Sequence, residues 1–168
     1  RVDRFLANLV GSPPTAAVFE SAHAFRWRTA RGVGRIEPID SVSSFDLESL
    51  IGVDRAVEAL DRNTRQLLAN LPYNDVLLYG ERGTGKSSAV CGLLTRYAAD
   101  GLRIVEVDRA DLAELPELLR MLGDGTSEVP DAYSFLVFCD DLSFGSSELG
   151  FRELKAALEG GIEARPNR

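Results

Sequence analysis

The feature that most constrains this chain is the octapeptide Gly80-Glu81-Arg82-Gly83-Thr84-Gly85-Lys86-Ser87, which satisfies G-x-x-x-x-G-K-[ST]. Its glycines let the backbone turn through conformations closed to other residues, so that successive N–H groups converge on an anion with no side chain in the way. With 15 Gly in 168 residues and Lys86 one of only two lysines, the four fixed positions coincide by chance in only about two chains per thousand of this composition. The flanks supply the context such a loop requires. Before it, the apolar run Asp75-Val76-Leu77-Leu78-Tyr79 predicts a strand covered on both faces. After it, the stripe Val90, Leu93, Leu94, Tyr97 and Ala98 predicts a helix from about Lys86 to Ala99, ended by Gly101.

The same alternation runs through most of the chain. Val53, Ala56, Val57, Leu60, Leu67, Leu68 and Leu71 recur at helical spacing up to Pro72. Leu102 to Val107 reads as a second strand, and Leu115 to Leu122 as a helix with Pro116 in its first turn and Gly123 after its last. A polar linker from Gly123 to Asp131 leads into a third buried strand, Ser134 to Cys139, and a further helix is expected from about Gly150 to Glu159. Strands alternating with helices imply an α/β fold, a mainly parallel sheet with its ligand outside the carboxyl ends of the strands. The first forty residues are too irregular for assignment, although Phe25 and Trp27 alternate with Arg26 and Arg28 as a half-buried strand would.

Composition narrows the function classes. At 45% hydrophobic and 27% charged residues the chain is an ordinary globular domain, neither disordered nor a disulfide scaffold. The longest apolar run, Phe135 to Cys139, is far shorter than the ~20 residues that span a bilayer, and no charged-then-apolar leader opens the chain. A cytoplasmic location with no membrane partner is expected. Cys91 and Cys139 lack C-x-x-C spacing and read as small buried hydrophobes, and the lone His23 has no second imidazole with which to build a zinc site. The net charge is −7, but residues 1 to 36 carry +4 and the remainder −11. A basic leader ahead of an acidic body is expected to pair with it or to solvate a surface; no dense Lys/Arg block calls for nucleic acid. The chain opens on Arg1 and stops in Arg165-Pro166-Asn167-Arg168, which reads as an excerpt of a longer protein.

In the glycine loop, Gly80, Glu81, Arg82, Gly83, Thr84, Gly85, Lys86, Ser87 and Ser88 are the expected phosphate-binding residues. Lys86 would reach the β- and γ-phosphates as a point charge, and the Ser87 hydroxyl would ligate Mg2+ beside them. Four apolar residues followed by Asp140-Asp141 form a Walker B pattern at the end of the third strand. Asp140 is expected to serve the metal, and Asp141 to orient or deprotonate the attacking water.

Leu50-Ile51-Gly52-Val53-Asp54-Arg55, the loop Gly80 to Ser88, Phe138-Cys139-Asp140-Asp141-Leu142-Ser143-Phe144 and Leu158-Glu159-Gly160-Gly161 together resemble the bacterial ATPase-like family known as domain of unknown function 815, a branch similar to AAA+ ATPases. The resemblance covers residues from about 45 to 168. It implies a P-loop αβα sandwich that binds ATP, with Ile51 and Gly52 near adenine, and it sets residues 1–44 apart as a basic N-terminal extension. It also implies that the domain is incomplete at its C-terminus: in related ATPases a further strand lies between the phosphate-loop strand and the Walker B strand. An empty slot there would leave backbone groups of two strands unpaired, so the isolated piece is expected to fold poorly and hydrolyse little. Most AAA+ proteins carry Asp-Glu where this chain has Asp140-Asp141, which shortens the catalytic acid by one methylene.

The sequence thus predicts Mg2+-dependent ATP hydrolysis. The alternative is an ATP-gated binding module with little turnover, in which Ser143 to Gly150 responds to the nucleotide state. A GTPase is disfavoured because no Asn-Lys-x-Asp tetrapeptide occurs, and a small-molecule kinase because no acceptor pocket or lid is legible. Homo-oligomer or monomer, and any protein partner, stay open at this level.

Overall fold

A computed structural model describes residues 15–123 and 132–140. Helix α1 (Ala16–Ser21) leads into β1 (Ala24–Ala30), which returns as β2 (Val33–Pro38). The two-residue turn between them places Arg31 and Gly32 both at positive φ, the geometry whose twist suits an antiparallel hairpin. There follow α2 (Asp54–Leu68), α3 (Lys86–Tyr97), β3 (Leu102–Val107), α4 (Leu115–Gly123) and β4 (Ser134–Phe138). The strands form one mixed sheet in the order β2-β1-β3-β4. β1 pairs parallel with β3 (Trp27 opposite Val107) and β3 parallel with β4 (Glu106 opposite Phe138), while the β1–β2 pair is antiparallel. The α/β class and a mostly parallel sheet are therefore as the alternation of elements predicts.

Period-two alternation assigns the two faces of the sheet. Phe25, Trp27, Val105, Val107 and Phe135 pack against Phe19 of α1 and against Leu115, Leu118 and Leu122 of α4. Phe19 meets Phe25 and Phe135 edge-on at centroid distances of 5.2 and 5.1 Å. Each such pair contributes about 0.5–1.5 kcal/mol beyond the area it buries. On the other face Ala24, Leu102, Ile104 and Leu136 pack under Val90, Leu93 and Leu94 of α3, with Leu60 and Leu67 of α2 joining the same layer. Cys139 belongs to the first face and Cys91 rides on α3 over the second, so the two thiols lie on opposite sides of the sheet. Both are half-buried rather than buried as expected, and that partial burial raises the pKa of both, that of Cys139 to about 11, which keeps the thiols protonated.

The described part of the basic leader enters the sheet as β1 and the start of β2. Arg26 donates through Nε and Nη2 to one oxygen of Glu106, at 2.9 and 2.6 Å, and Arg28 donates to Asp108 at 2.7 Å. These are half-exposed pairs worth about 0–1 kcal/mol each. They do what the uneven charge predicts, joining leader to acidic body. The alternation of Phe25 and Trp27 with Arg26 and Arg28 is β1, as a half-buried strand predicts, while β2 (Val33–Pro38) falls in the stretch too irregular for assignment.

One expected strand is not formed. Residues 71–79 have no regular secondary structure, and Leu77 and Tyr79 are 68% and 89% exposed. Only Leu78 turns inward, toward the layer that includes Leu136. An apolar run makes a segment able to be a strand, but a ladder partner is a tertiary matter, and β4 is the last strand of the described sheet on its side. Two bonds fix where the segment begins: Asn63 of α2 accepts from Asn74 N at 2.9 Å and donates to Asn74 O at 2.8 Å. Smaller differences are at element ends. α3 gives way at Tyr97 to a 3-10 turn, Ala98–Asp100, with Gly101 at φ +95°, and β4 closes at Phe138. The helix expected at 150–159, Asp141, Ser143 to Gly150 and Leu158 to Gly161 lie outside the described residues.

Candidate functional site

Because β1, β3 and β4 are parallel, their carboxyl ends share one edge of the sheet, and the turn from Gly80 to Gly85 opens α3 at that edge. Three of its backbone positions need glycine: Gly80, Gly83 and Gly85 have φ of +145°, +82° and +84°. Gly85 is the N-cap of α3, its carbonyl taking the first helical bond from Ala89 N at 2.8 Å. No side chain caps this helix and no acid stands in its first turn. The first backbone N–H groups of the helix thus have no capping side chain from the helix's own sequence.

Lys86 folds back over the loop. Its Nζ donates to Gly80 O at 2.9 Å and Glu81 O at 2.7 Å, with Thr84 Oγ1 at 3.4 Å. Thr84 Oγ1 in turn donates to Glu81 O at 2.9 Å. An ammonium has three hydrogens, and the loop's own oxygens occupy all three directions. In the first turn of α3, Ser87 Oγ donates to Asp140 Oδ2 at 2.7 Å across 53 residues of sequence. The two side chains expected from sequence to share a metal are therefore in direct contact, at the junction of α3 with the end of β4. Glu81, Arg82, Gly83 and Thr84 are exposed and Ser88 is half-buried on α3.

The Ser87–Asp140 pair is a hard-oxygen set of the kind Mg2+ takes, and its shortness of ligands suits an ion that keeps several waters and draws its remaining oxygens from phosphates. Among the described residues no group of three or more His, Cys, Asp or Glu side chains forms a self-contained metal site.

A second component of the site is not signalled by any motif. Residues 45–50 run along α3 as a strap. Phe45 N donates to Thr95 Oγ1 at 3.1 Å, and Asp46 caps a 3-10 turn, Leu47–Ser49, by accepting from Glu48 N at 3.0 Å. Leu47 lies over Gly92, where an added Cβ would stand 2.7 Å from its Cγ and Cδ2, and Leu50 lies over Gly85, where the same atom would stand 2.6 Å from its Cδ2. Glycine inside a helix costs about 1 kcal/mol relative to alanine, so Gly92 needs a packing reason, and Leu47 is that reason. Arg96 ties the strap to α2, reaching Glu48 at 3.5 Å and Asp61 at 3.2 Å. At the loop end of the strap Ile51 is 94% exposed and Gly52 turns with φ +79°. Ile51 and Gly52 are therefore brought to the rim of the glycine loop, though neither is in the contact that holds Lys86. Gly92 and Leu47 had a faint signal in sequence, a glycine where the helical stripe expects an ordinary residue.

A mixed α/β domain with a glycine loop opening one helix, and an acid from the neighbouring strand end bonded to that helix, is the class these observations define. The chain belongs to the family described as Protein of unknown function (DUF815), whose profile matches residues 20–168. The match takes in β1 and β2 as well as the later motifs. No curated protein and no solved structure matches the chain. No helix among the described residues is long and apolar enough to cross a membrane.

Proposed function

We propose that this chain is a P-loop, AAA+-like domain that binds ATP with Mg2+ on Gly80 to Ser88 and hydrolyses it. The observation that carries the proposal is the 2.7 Å bond between Ser87 and Asp140, which unites two motifs that the sequence offers separately. Lys86, its three hydrogens now given to Gly80 O, Glu81 O and Thr84 Oγ1, would exchange neutral oxygens for phosphate oxygens, a charge-assisted and stronger bond. The uncapped start of α3 would take the same chain of anions on its backbone N–H groups. Ser87 and Asp140 would hold the metal, which when bound neutralises charge on the phosphate oxygens. Ile51 and Gly52 would meet the base. Asp141, next in sequence to Asp140, is proposed as the acid that positions water for in-line attack on the γ-phosphorus, forming the new P–O bond as the bond to ADP breaks.

Phosphate release by the full-length protein tests this reading. Asp141→Asn is expected to bind ATP normally and to turn over at a small fraction of the unmodified rate. Equal turnover would remove Asp141 from the mechanism, and tight binding without turnover in the unmodified protein would leave an ATP-gated switch.

A further inference from the structure

We infer that Gly92 is a positioning residue for nucleotide selectivity: it seats the strap of residues 45–50 on α3 and thereby fixes Ile51 as an apolar platform for a nucleobase beside the phosphate loop. The inference rests on the ATP reading above and concerns the part of the same site that would tell a nucleotide from a bare phosphate chain.

Gly85 and Gly92 are seven residues apart, two helical turns, and so fall on one side of α3. Leu50 and Leu47 sit over them in antiparallel order, each close enough to the missing Cβ that a side chain there would force it to shift. Leu47 is 3% exposed and Gly92 is buried, so neither can move aside into solvent. The strap is also held as a rigid piece. Ser49 Oγ donates to Asp46 O at 2.6 Å, Leu50 N donates to Leu47 O at 3.3 Å, and Phe45 and Glu48 are anchored to Thr95 and Arg96. A displacement at Leu47 is therefore passed to Leu50 and Ile51 rather than absorbed between them. Ile51 carries the most exposed large apolar side chain of the described residues, and it stands one residue from a leucine packed on the last glycine of the loop. Aromatic bases favour such a surface through apolar contact. The bonds of Lys86 and Ser87 run to Gly80, Glu81, Thr84 and Asp140, none of which belongs to the strap.

Titration of the full-length protein with Mg·ATP and, separately, with inorganic tripolyphosphate plus Mg2+ tests the inference. The unmodified protein should bind ATP the more tightly. Gly92→Ala should weaken ATP about tenfold, equivalent to about 1.4 kcal/mol, with tripolyphosphate affinity changed much less. Adding Leu47→Ala to Gly92→Ala makes room for the new methyl and should recover part of the ATP affinity. If Gly92→Ala does not fold, Leu47→Ala alone loosens the same seat without overpacking and should show the same selective loss. Equal weakening of both ligands, or no change in either, overturns the inference while leaving the ATP reading intact. Failure of the unmodified protein to bind either ligand overturns the ATP reading and this inference with it.

Discussion

Replacing Asp61 by alanine removes one carboxylate on which three donors from two helices converge. Tyr97 Oη donates at 2.7 Å and Arg96 Nη1 at 3.2 Å to one oxygen, and Arg65 Nη2 lies 2.8 Å from the other. Arg65 is 63% exposed and one turn away on the same helix, so its share is about 0.3–0.5 kcal/mol. Arg96 is 36% exposed, and solvent screening limits its share to about 0.5–1 kcal/mol. The half-buried Tyr97 hydroxyl loses its acceptor, about 1–1.5 kcal/mol. The total expected loss is about 2–3 kcal/mol at neutral pH. Urea unfolding followed by the emission of Trp27, the single tryptophan of the 168 residues and fully buried, measures it. In a double-mutant cycle with Tyr97→Phe the coupling should be about 1 kcal/mol. The acid limb supplies an independent sign. Burial alone would raise the Asp61 pKa, but the hydrogen bonds from Tyr97 and Arg96 and the charges of Arg65 and Arg96 outweigh it and hold the group below the usual carboxylate value. A depressed carboxylate stabilises fully above its unfolded pKa, about 3.9, and its contribution is lost as pH falls through the lower folded value, so the gap between variant and unmodified protein should narrow as pH falls below about 4. A loss at pH 7 under about 0.5 kcal/mol, within the range of an ordinary surface change, or a gap that persists into acid, would refute the reasoning.

Gly34→Ala should destabilise the sheet by about 1–3 kcal/mol, because the new methyl would fall within the ring of the fully buried Trp27; unchanged urea midpoints would contradict that packing. The exposed apolar side chains of Leu77 and Tyr79 should make the 168-residue chain self-associate with rising concentration. Leu77→Lys with Tyr79→Ser should suppress the effect in light scattering, and an unmodified chain that scatters as a monomer at every concentration would contradict it.

How far the sequence reveals this protein depends on how local the controlling interaction is. Lys86–Tyr97 and Leu115–Gly123 are legible because periodicity and a terminal glycine specify them from within, and Leu102–Val107 matches its expected strand end to end. Residues 75–79 read as a strand and are not one, since chemistry within a segment cannot supply the neighbour that takes its backbone bonds. The hairpin of residues 24–38 is partly the converse. The alternation of Phe25 and Trp27 with Arg26 and Arg28 is legible as a strand, but its place beside β3, with Arg26 and Arg28 bonded to Glu106 and Asp108 80 residues away, is not. At the candidate site the loop and its lysine are legible because glycine at positive φ has few other uses. The strap is not, for Phe45, Leu47 and Leu50 acquire their purpose from notches at Gly92 and Gly85 on a different element.

The central claim is that the loop from Gly80 to Ser87 holds a nucleotide's phosphates through Lys86. Calorimetric titration of Mg·ATP into the full-length protein and its Lys86→Ala variant tests it most directly. Saturable binding that the variant weakens by at least about tenfold, the loss of one charge-assisted bond, is the expected result. Heat indistinguishable from dilution in the unmodified protein, or equal affinity in the two proteins, would contradict it.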